Sequence, residues 1–402
     1  MATTKHQAAQ RGSGQRVRRA AESQKTERAV FQDYGLIMIV LFLVGIGLVL
    51  LYSTSSYEAA LKYDDSAYYL KRQLIFSILG TGLMFFVSVF PVSLYRRLEM
   101  FIYGFATALL ILIIPFGRAA NGAKRWLYIG PVSIQPAEIS KIAIIIVTAS
   151  LICRIGTRDL GKLKSFCIVM APAVLQAAMI LLITRNLSSA AIVGMIAFGI
   201  YFIAVRDYKI VGLVIVAVIA AGFGLIYASI TGILGGFRSD RILAWLHPEN
   251  YAEGTAFQTL QALYAIGSGG FFGKGLGQSV QKLGFIPEAQ NDMIFSIVCE
   301  ELGLFGAIGV MLLFLILIWR FVVVAYRAED LYSGLIVSGV ITHVAVQVVL
   351  NIAVVTNTMP NTGVTLPFIS YGGSSIILML AEIGMVLSVA RRGRYEEAAR
   401  RK

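Results

Sequence analysis

Residues 267–303 read GSGGFFGKGLGQSVQKLGFIPEAQNDMIFSIVCEELG, a glycine-rich polar loop that runs into a long apolar helix and leaves one acid, Asp292, at the junction. A carboxylate where a hydrocarbon-compatible helix meets water is costly and asks for a reason. The stretch marks the architecture, long apolar helices joined by loops, and it marks the place where chemistry is to be sought.

The rest of the chain follows the same pattern. Of 402 residues, 57% are hydrophobic and 14% charged, and the mean hydropathy is +0.75, outside the range of soluble domains. Apolar runs near the ~20 residues that cross about 30 Å of hydrocarbon fall at 34–53, 71–90, 99–116, 134–153, 165–184, 187–204, 209–230, 292–326, 333–356 and 367–390. They predict an all-α polytopic integral membrane protein of about ten transmembrane helices, with one large extracytoplasmic loop, 231–291, between helices 7 and 8. Only Arg185 and Asn186 separate the fifth run from the sixth.

Charge orients the bundle. With the N-terminus inside, the segments 1–33, 91–98, 154–164, 205–209, 320–332 and 391–402 hold most of the 35 Lys and Arg residues, as the positive-inside rule requires. The net charge of +13 is thus topological, and a nucleic-acid partner is not expected. Residues 1–33 read as a disordered basic cytoplasmic tail, too polar to bury a core, and 391–402 as a second basic cytoplasmic tail. No cleavable signal peptide precedes the first run, which acts as its own insertion signal. Cys153, Cys167 and Cys299 all fall in predicted helices and suggest no disulfide framework; three histidines without paired spacing argue against zinc.

Within 231–291, Arg238, Asp240 and Arg241 precede the amphipathic set Ile242, Leu243, Trp245 and Leu246, which predicts short interfacial helices before the glycine-rich turn. Gly273-Lys274-Gly275-Leu276-Gly277 has the spacing of neither a P-loop nor a dinucleotide fingerprint, so no nucleotide is implicated. Asn291 and Asp292 are good N-cap residues for the following helix, and capping competes with chemistry as the reason for the acid. Glu138 and Lys141 share a helix face, and Arg125 lies on the same outer side; two cations and an acid suit an anionic lipid diphosphate. Glu300 and Glu301 lie farther down the eighth helix. His343, Gln347 and Asn351 form an i, i+4, i+8 stripe that, with Glu382, reads as polar bridging between helices.

The sequence resembles the SEDS family, the shape, elongation, division and sporulation proteins of bacteria. The resemblance is carried by YSTSS at 52–56, GAKRWLYIGPVSIQPAEISK at 122–141, AIGSGGFFGKGLGQSVQK at 265–282, FIPEAQNDMIFSIVCEELGLFG at 285–306 and MPNTGVTLPFISYGGSS at 359–375. These blocks occur in the family's order from the first helix to the last and make 34–390 the SEDS transmembrane domain. The basic tail and the wording of the last block are more similar to the division-type FtsW branch than to the elongation-type RodA branch.

The resemblance implies a peptidoglycan glycosyltransferase that polymerises lipid II at the outer face of the bacterial cytoplasmic (inner) membrane, both termini being cytoplasmic. It assigns the catalytic acid to Asp292 and substrate binding to Arg125, Glu138 and Lys141, with Lys274 and Lys282 of the glycine block beside them. It implies a class B penicillin-binding protein as transpeptidase partner, other divisome or elongasome membrane proteins, and a divalent cation, Mg or Mn, as cofactor. Two departures stand out: the family's PDLGTA element is here Arg185-Asn186-Leu187-Ser188-Ser189-Ala190, without its acid, and the His-Thr before the catalytic acid is Gln290-Asn291. The same intramembrane polar residues would also suit a flippase for lipid II, and a noncatalytic scaffold would explain the tails but not the outer acid.

Overall fold

The structure, a computed structural model, describes residues 33–120, 123–129, 132–233 and 236–400; the expectation of a disordered tail over 1–33 lies almost wholly outside them, as do the last two residues of 391–402. Ten helices among the described residues are long and apolar enough to span a membrane. In chain order they are α1 Tyr34–Tyr63, α2 Tyr68–Val89, α3 Val92–Phe116, α4 Pro136–Ile155, α5 Leu163–Thr184, α6 Leu187–Ala204, α7 Lys209–Ile230, α10 Ile294–Tyr326, α11 Leu331–Val355 and α12 Gly373–Arg400. Arg185 and Asn186 do separate two spans: Arg185 adopts a left-handed conformation that ends α5, and the Asn186 side chain accepts from Ser189 N to start α6.

Two expectations change. The third helix begins at Val92 rather than near 99, and Glu99, buried within it, pairs through Oε1 with Arg154 of α4. The segment 117–133, expected only as an outer connection, forms a small antiparallel sheet of β1 Arg118–Ala120, β2 Ala123–Ile129 and β3 Val132–Ile134, in the order β1-β2-β3, a minor addition to the all-α membrane fold. The expected interfacial helices are present as α8 Phe237–Leu246 and α9 Phe257–Gly269, joined through a 3₁₀ turn at Pro248–Tyr251.

Helix α4 is the centre of the bundle, with 78% of its span buried, whereas α7 is at the rim with 6%. Small residues bring the helices together where lipid offers no hydrophobic drive. A Cβ on Gly384 of α12 would stand 2.5 Å from the Met84 carbonyl of α2, and one on Gly47 of α1 would stand 2.4 Å from the Phe368 carbonyl. Phe368 belongs to the irregular segment 356–372, which dips into the bundle. Its backbone finds partners there: Gln347 Nε2 donates to Thr365 O (3.1 Å), Asn351 Nδ2 to Val364 O (2.7 Å) and Gln73 Nε2 to Ser370 O (3.3 Å). Irregular backbone at this depth is tolerated only where protein supplies those bonds.

The long helix α10 is broken at Gly303, whose backbone (φ 66°, ψ −165°) is not helical. The break frees polar groups, and the glycine loop after α9 pairs with them. Lys274 N donates to Glu300 O and Gly275 N to Glu301 O, both at 2.9 Å, while Leu304 N and Phe305 N donate to Gly270 O and Phe271 O. Gly273 and Gly303 meet so closely that a Cβ on either would lie 2.2–2.3 Å from the other's surroundings. The loop is therefore part of the bundle wall.

Candidate active site

Asp292 sits two residues before α10, and it caps nothing: Met293 holds the N-cap position without any side-chain bond. The capping reading of Asp292 fails on this geometry. Its carboxylate instead faces a set of neutral groups. Gln258 Nε2 of α9 lies 3.5 Å from Oδ1 and donates to Pro287 O at 3.1 Å. Gly363, in a left-handed conformation (φ +67°), presents its bare Cα side to Oδ2, where a Cβ would be 3.6 Å away. From below, Asn351 of α11 donates to the Asp292 main-chain carbonyl at 2.7 Å.

Desolvation is the main influence on the carboxyl, pushing it up to about 6; Glu288 adds to the rise, while the Gln258 amide and Arg241 oppose it. The cause is direct, since burial penalises the charged form and the opposing influence of Arg241 is smaller than that of burial. A carboxyl pushed up to about 6 is mostly ionised at neutral pH and is suited to accept a proton from a hydroxyl.

Of two nearby guanidinium groups, Arg241 acts on the acid and Arg125 acts on Arg241. Arg241 of α8 donates from Nη1 to Asn361 O at 3.2 Å, and Arg125 of β2 donates from Nε to Thr184 O at 3.4 Å. Arg241 is held below its ordinary range by burial first and by the like charge of Arg125 second, with Asp292 acting in the opposite sense. Both arginines and the acid thus share one electrostatic neighbourhood at the end of the bundle that carries α8 and α9. Arg241 was visible in the sequence only as part of an amphipathic helix.

The other sequence candidates are held in closed pairs. Lys141 Nζ lies 2.7 Å from Glu138 Oε1, both buried in α4, and 3.5 Å from Gln347 Oε1. Lys274 pairs with Glu300 (2.7 Å) and Lys282 with Glu301 (2.8 Å). Ser279 and the Val280 and Gln281 amides complete the first pair, and Ser53 of α1 the second. Lys282 and Ser53 also line a cavity of about 400 Å³ with apolar residues of α1, α2 and the loop. The structure therefore brings Arg125 and Arg241 toward Asp292, keeps Glu138 and Lys141 one layer deeper, and brings Lys274 and Lys282 to the glutamates of α10. His343 Nδ1 meets Glu382 at 2.8 Å, a bridge between α11 and α12.

Among the described residues, no three His, Cys, Asp or Glu side chains converge to hold a metal ion, and the polar atom facing Asp292 is an amide donor. The residues offer Mg or Mn one carboxylate and no cage. The departure at 185–190 touches the site: Ser188 Oγ donates to Thr362 O, between Asn361 and Gly363.

Comparison with known proteins places the chain. The sequence profile of the cell cycle proteins FtsW, RodA and SpoVE matches residues 34–395. Stage V sporulation protein E of Bacillus subtilis is 38% identical, over 92% of this chain and 100% of its own length. The probable peptidoglycan glycosyltransferase FtsW of Geobacter metallireducens is 36% identical over 90% and 95%. Among solved structures, a chain of a peptidoglycan synthase complex that coordinates polymerization and crosslinking superposes with a TM-score of 0.73 at 27% identity, over 90% of this chain and 99% of that one. The crystal structure of the rod shape determining protein RodA of Thermus thermophilus gives 0.63 at 27% identity, over 90% and 97%. The chain belongs to the FtsW, RodA and SpoVE family of cell cycle proteins, the SEDS family.

Proposed function

We propose that this family member polymerises lipid II, joining its disaccharide units into a β-1,4 glycan at the outer face of the cytoplasmic membrane, with Asp292 as general base. Named relatives that are probable peptidoglycan glycosyltransferases support the reaction class. The observation that carries the assignment of the base is the carboxylate of Asp292, desolvated, free of any capping duty and faced by a neutral amide.

The acceptor 4-hydroxyl gives its proton to Asp292 as its oxygen attacks the anomeric carbon of the donor sugar. The bond from that carbon to the diphosphate breaks in the same step, so the α-linked donor yields a β-linked product without a covalent enzyme intermediate. Arg125 and Arg241 take up the charge that develops on the leaving diphosphate. Lys141 reaches that diphosphate only by exchanging Glu138 for it. A divalent cation would arrive with the diphosphate, since Mg²⁺ is usually held by one or two carboxylates plus substrate phosphates.

The flippase reading needs a continuous polar path. Against it, the ionisable side chains within the spans close on partners: Glu138 on Lys141, Glu300 on Lys274, Glu301 on Lys282, His343 on Glu382 and Arg320 on Asp33. Identity to sporulation and FtsW proteins above that to the RodA structures supports division-type rather than elongation-type wall synthesis. The synthase-complex relative supports a crosslinking partner of the class B penicillin-binding type. The distribution of Lys and Arg supports cytoplasmic termini.

The test is polymerisation of labelled lipid II by the purified full-length chain and by Asp292→Asn. Asparagine keeps the shape and the contact with Gln258, so folding is retained while activity falls by at least about 100-fold, the lower end of general-base contributions. Near-normal glycan ladders from the Asn variant would reject Asp292 as the base.

A further inference from the structure

Beside Asp292, α8, α9 and the turn after α11 line a polar cavity of about 190 Å³, of whose wall the steps above use only Arg241 and the amide of Gln258. Its wall includes Arg241, Trp245, Gln258, Thr259, Asn357 and Asn361. The size limits the occupant: drug-sized ligands need about 300 Å³ or more, so this space suits one small ring. The lining chooses its chemistry. It contains no carboxylate, which disfavours a cation, and three side-chain amides, which beyond their bonds within the protein keep a second N–H on Asn357 and Asn361 and a second lone pair on each carbonyl. Paired donors and acceptors of this kind match the vicinal hydroxyls of a sugar, and the Trp245 indole adds a flat amphipathic surface.

The wall is built rigidly. Trp245 Nε1 donates to Asn357 O at 2.9 Å, which ties α8 to the turn after α11. Asn361 Nδ2 donates to Gln258 Oε1 at 3.1 Å, and Asn361 Oδ1 accepts from Gly363 N at 3.2 Å. These bonds fix both amides, so the amino group of Gln258 points toward Asp292. Gln258 is thus common to the cavity wall and the carboxylate.

We propose that this cavity is a subsite for one neutral pyranose ring of the glycan acceptor. The inference rests on Asp292 as the base: the ring whose hydroxyl reaches Asp292 is the one being deprotonated, and the cavity that shares Gln258 with Asp292 holds that ring or the one joined to it. Gln258 and Asn361 are positioning residues in this arrangement, since they orient the hydroxyl and the carboxylate together.

The experiment is a titration of the full-length chain in nanodiscs with a soluble β-1,4 tetramer of N-acetylglucosamine, followed by tryptophan fluorescence, with inorganic pyrophosphate as the parallel probe. Expected is a saturable change at millimolar sugar that persists in Asp292→Asn, disappears in Trp245→Phe, and shifts at least tenfold to weaker binding in Asn361→Ala. Thr259→Val replaces Asn361→Ala if the latter aggregates, because it removes one wall hydroxyl at nearly constant volume. No saturable response, or a response that Trp245→Phe and the wall variant leave unchanged, overturns the subsite. So does a response to pyrophosphate without one to sugar, which would mark an anion site on Arg241. Sugar binding in a chain that makes no glycan from lipid II overturns the enzyme reading and leaves the subsite standing. Normal polymerisation without sugar binding does the reverse.

Discussion

The side-chain amide of Asn351 donates to the main-chain carbonyl of Asp292 at 2.7 Å, and the same nitrogen donates to Val364 O at 2.7 Å. One residue of α11 therefore holds both the acid and the loop that carries Gly363, the two sides of the carboxylate's environment. Its removal leaves two buried carbonyls without a donor, at about 1–3 kcal/mol each.

Asn351→Ala is expected to lower kcat by about tenfold or more with little change in KM, because it displaces the base rather than the substrate. Initial rates against lipid II concentration separate the two. An unchanged kcat in a folded Asn351→Ala chain would mean that Asp292 is held from elsewhere.

The pH dependence follows from the raised carboxyl of Asp292. If Asp292 is the base, as proposed, it works when ionised, so polymerisation should fall as pH drops through about 6 and keep falling about tenfold per unit below it. Arg241→Gln, which removes a charge that favours the ionised form, should move that limb upward. Stability has the opposite sign. A carboxyl raised from 3.8 to about 6 favours the fold when protonated, and that contribution is lost as pH rises through about 6. Asp292→Asn should therefore melt higher than the parent above pH 6 and equal to it below 3.8, by about 1–2 kcal/mol after allowance for partial exposure.

Lys274 and Lys282 should act on stability rather than on substrate affinity. Lys282→Met strands Glu301, buried with Ser53, and breaking such a pair costs about 3–5 kcal/mol. The double variant Lys282→Met with Glu301→Met should recover much of that loss. A raised KM for lipid II in Lys282→Met, with unchanged melting, would return this lysine to the substrate.

Cysteine labelling tests the sidedness. Exposed Glu253, in the α8–α9 segment, should react as Glu253→Cys with an impermeant thiol reagent in intact cells, and exposed Lys164, at the opposite end of the bundle, should not as Lys164→Cys. Ser279→Cys should stay unlabelled although it lies on the Glu253 side, because Ser279 is buried against Glu300. Labelling of Lys164→Cys alone would invert the bundle.

The spans were legible because hydrocarbon demands long apolar runs, and the only separator in doubt, Arg185-Asn186, is a local turn that α5 and α6 make on their own. What escaped was set by contacts distant in sequence. The first turns of the third helix, 92–98, read as a loop because of Arg96 and Arg97, and the partner of Glu99 inside the bundle, Arg154, is 55 positions away. The sheet at 118–134 escaped because its strands are three, seven and three residues long. Asp292 stood out in the sequence as an acid at a helix edge, while Gln258 and Asn361 did not, since nothing local distinguishes an amide facing a carboxylate from one on a solvated helix. The Gly303 break was hidden inside an unbroken apolar run.

That break also sets an elevation. The two helical parts that Gly303 joins, 33 residues in all, rise at most about 50 Å at about 1.5 Å per residue, some 20 Å more than the hydrocarbon needs. Arg320, anchored to Asp33 at the far end, fixes where the crossing stops, and about 20 residues back from it lie Glu300, Glu301 and Gly303. The stretch Ile294–Leu302 is then a pedestal standing at headgroup height, with the glycine loop as its buttress, and Asp292 is its top. A reagent anchored in the bilayer by its tail would be met at a fixed altitude, so the reach of its polar head, more than its position in the membrane plane, becomes the dimension that the fold measures.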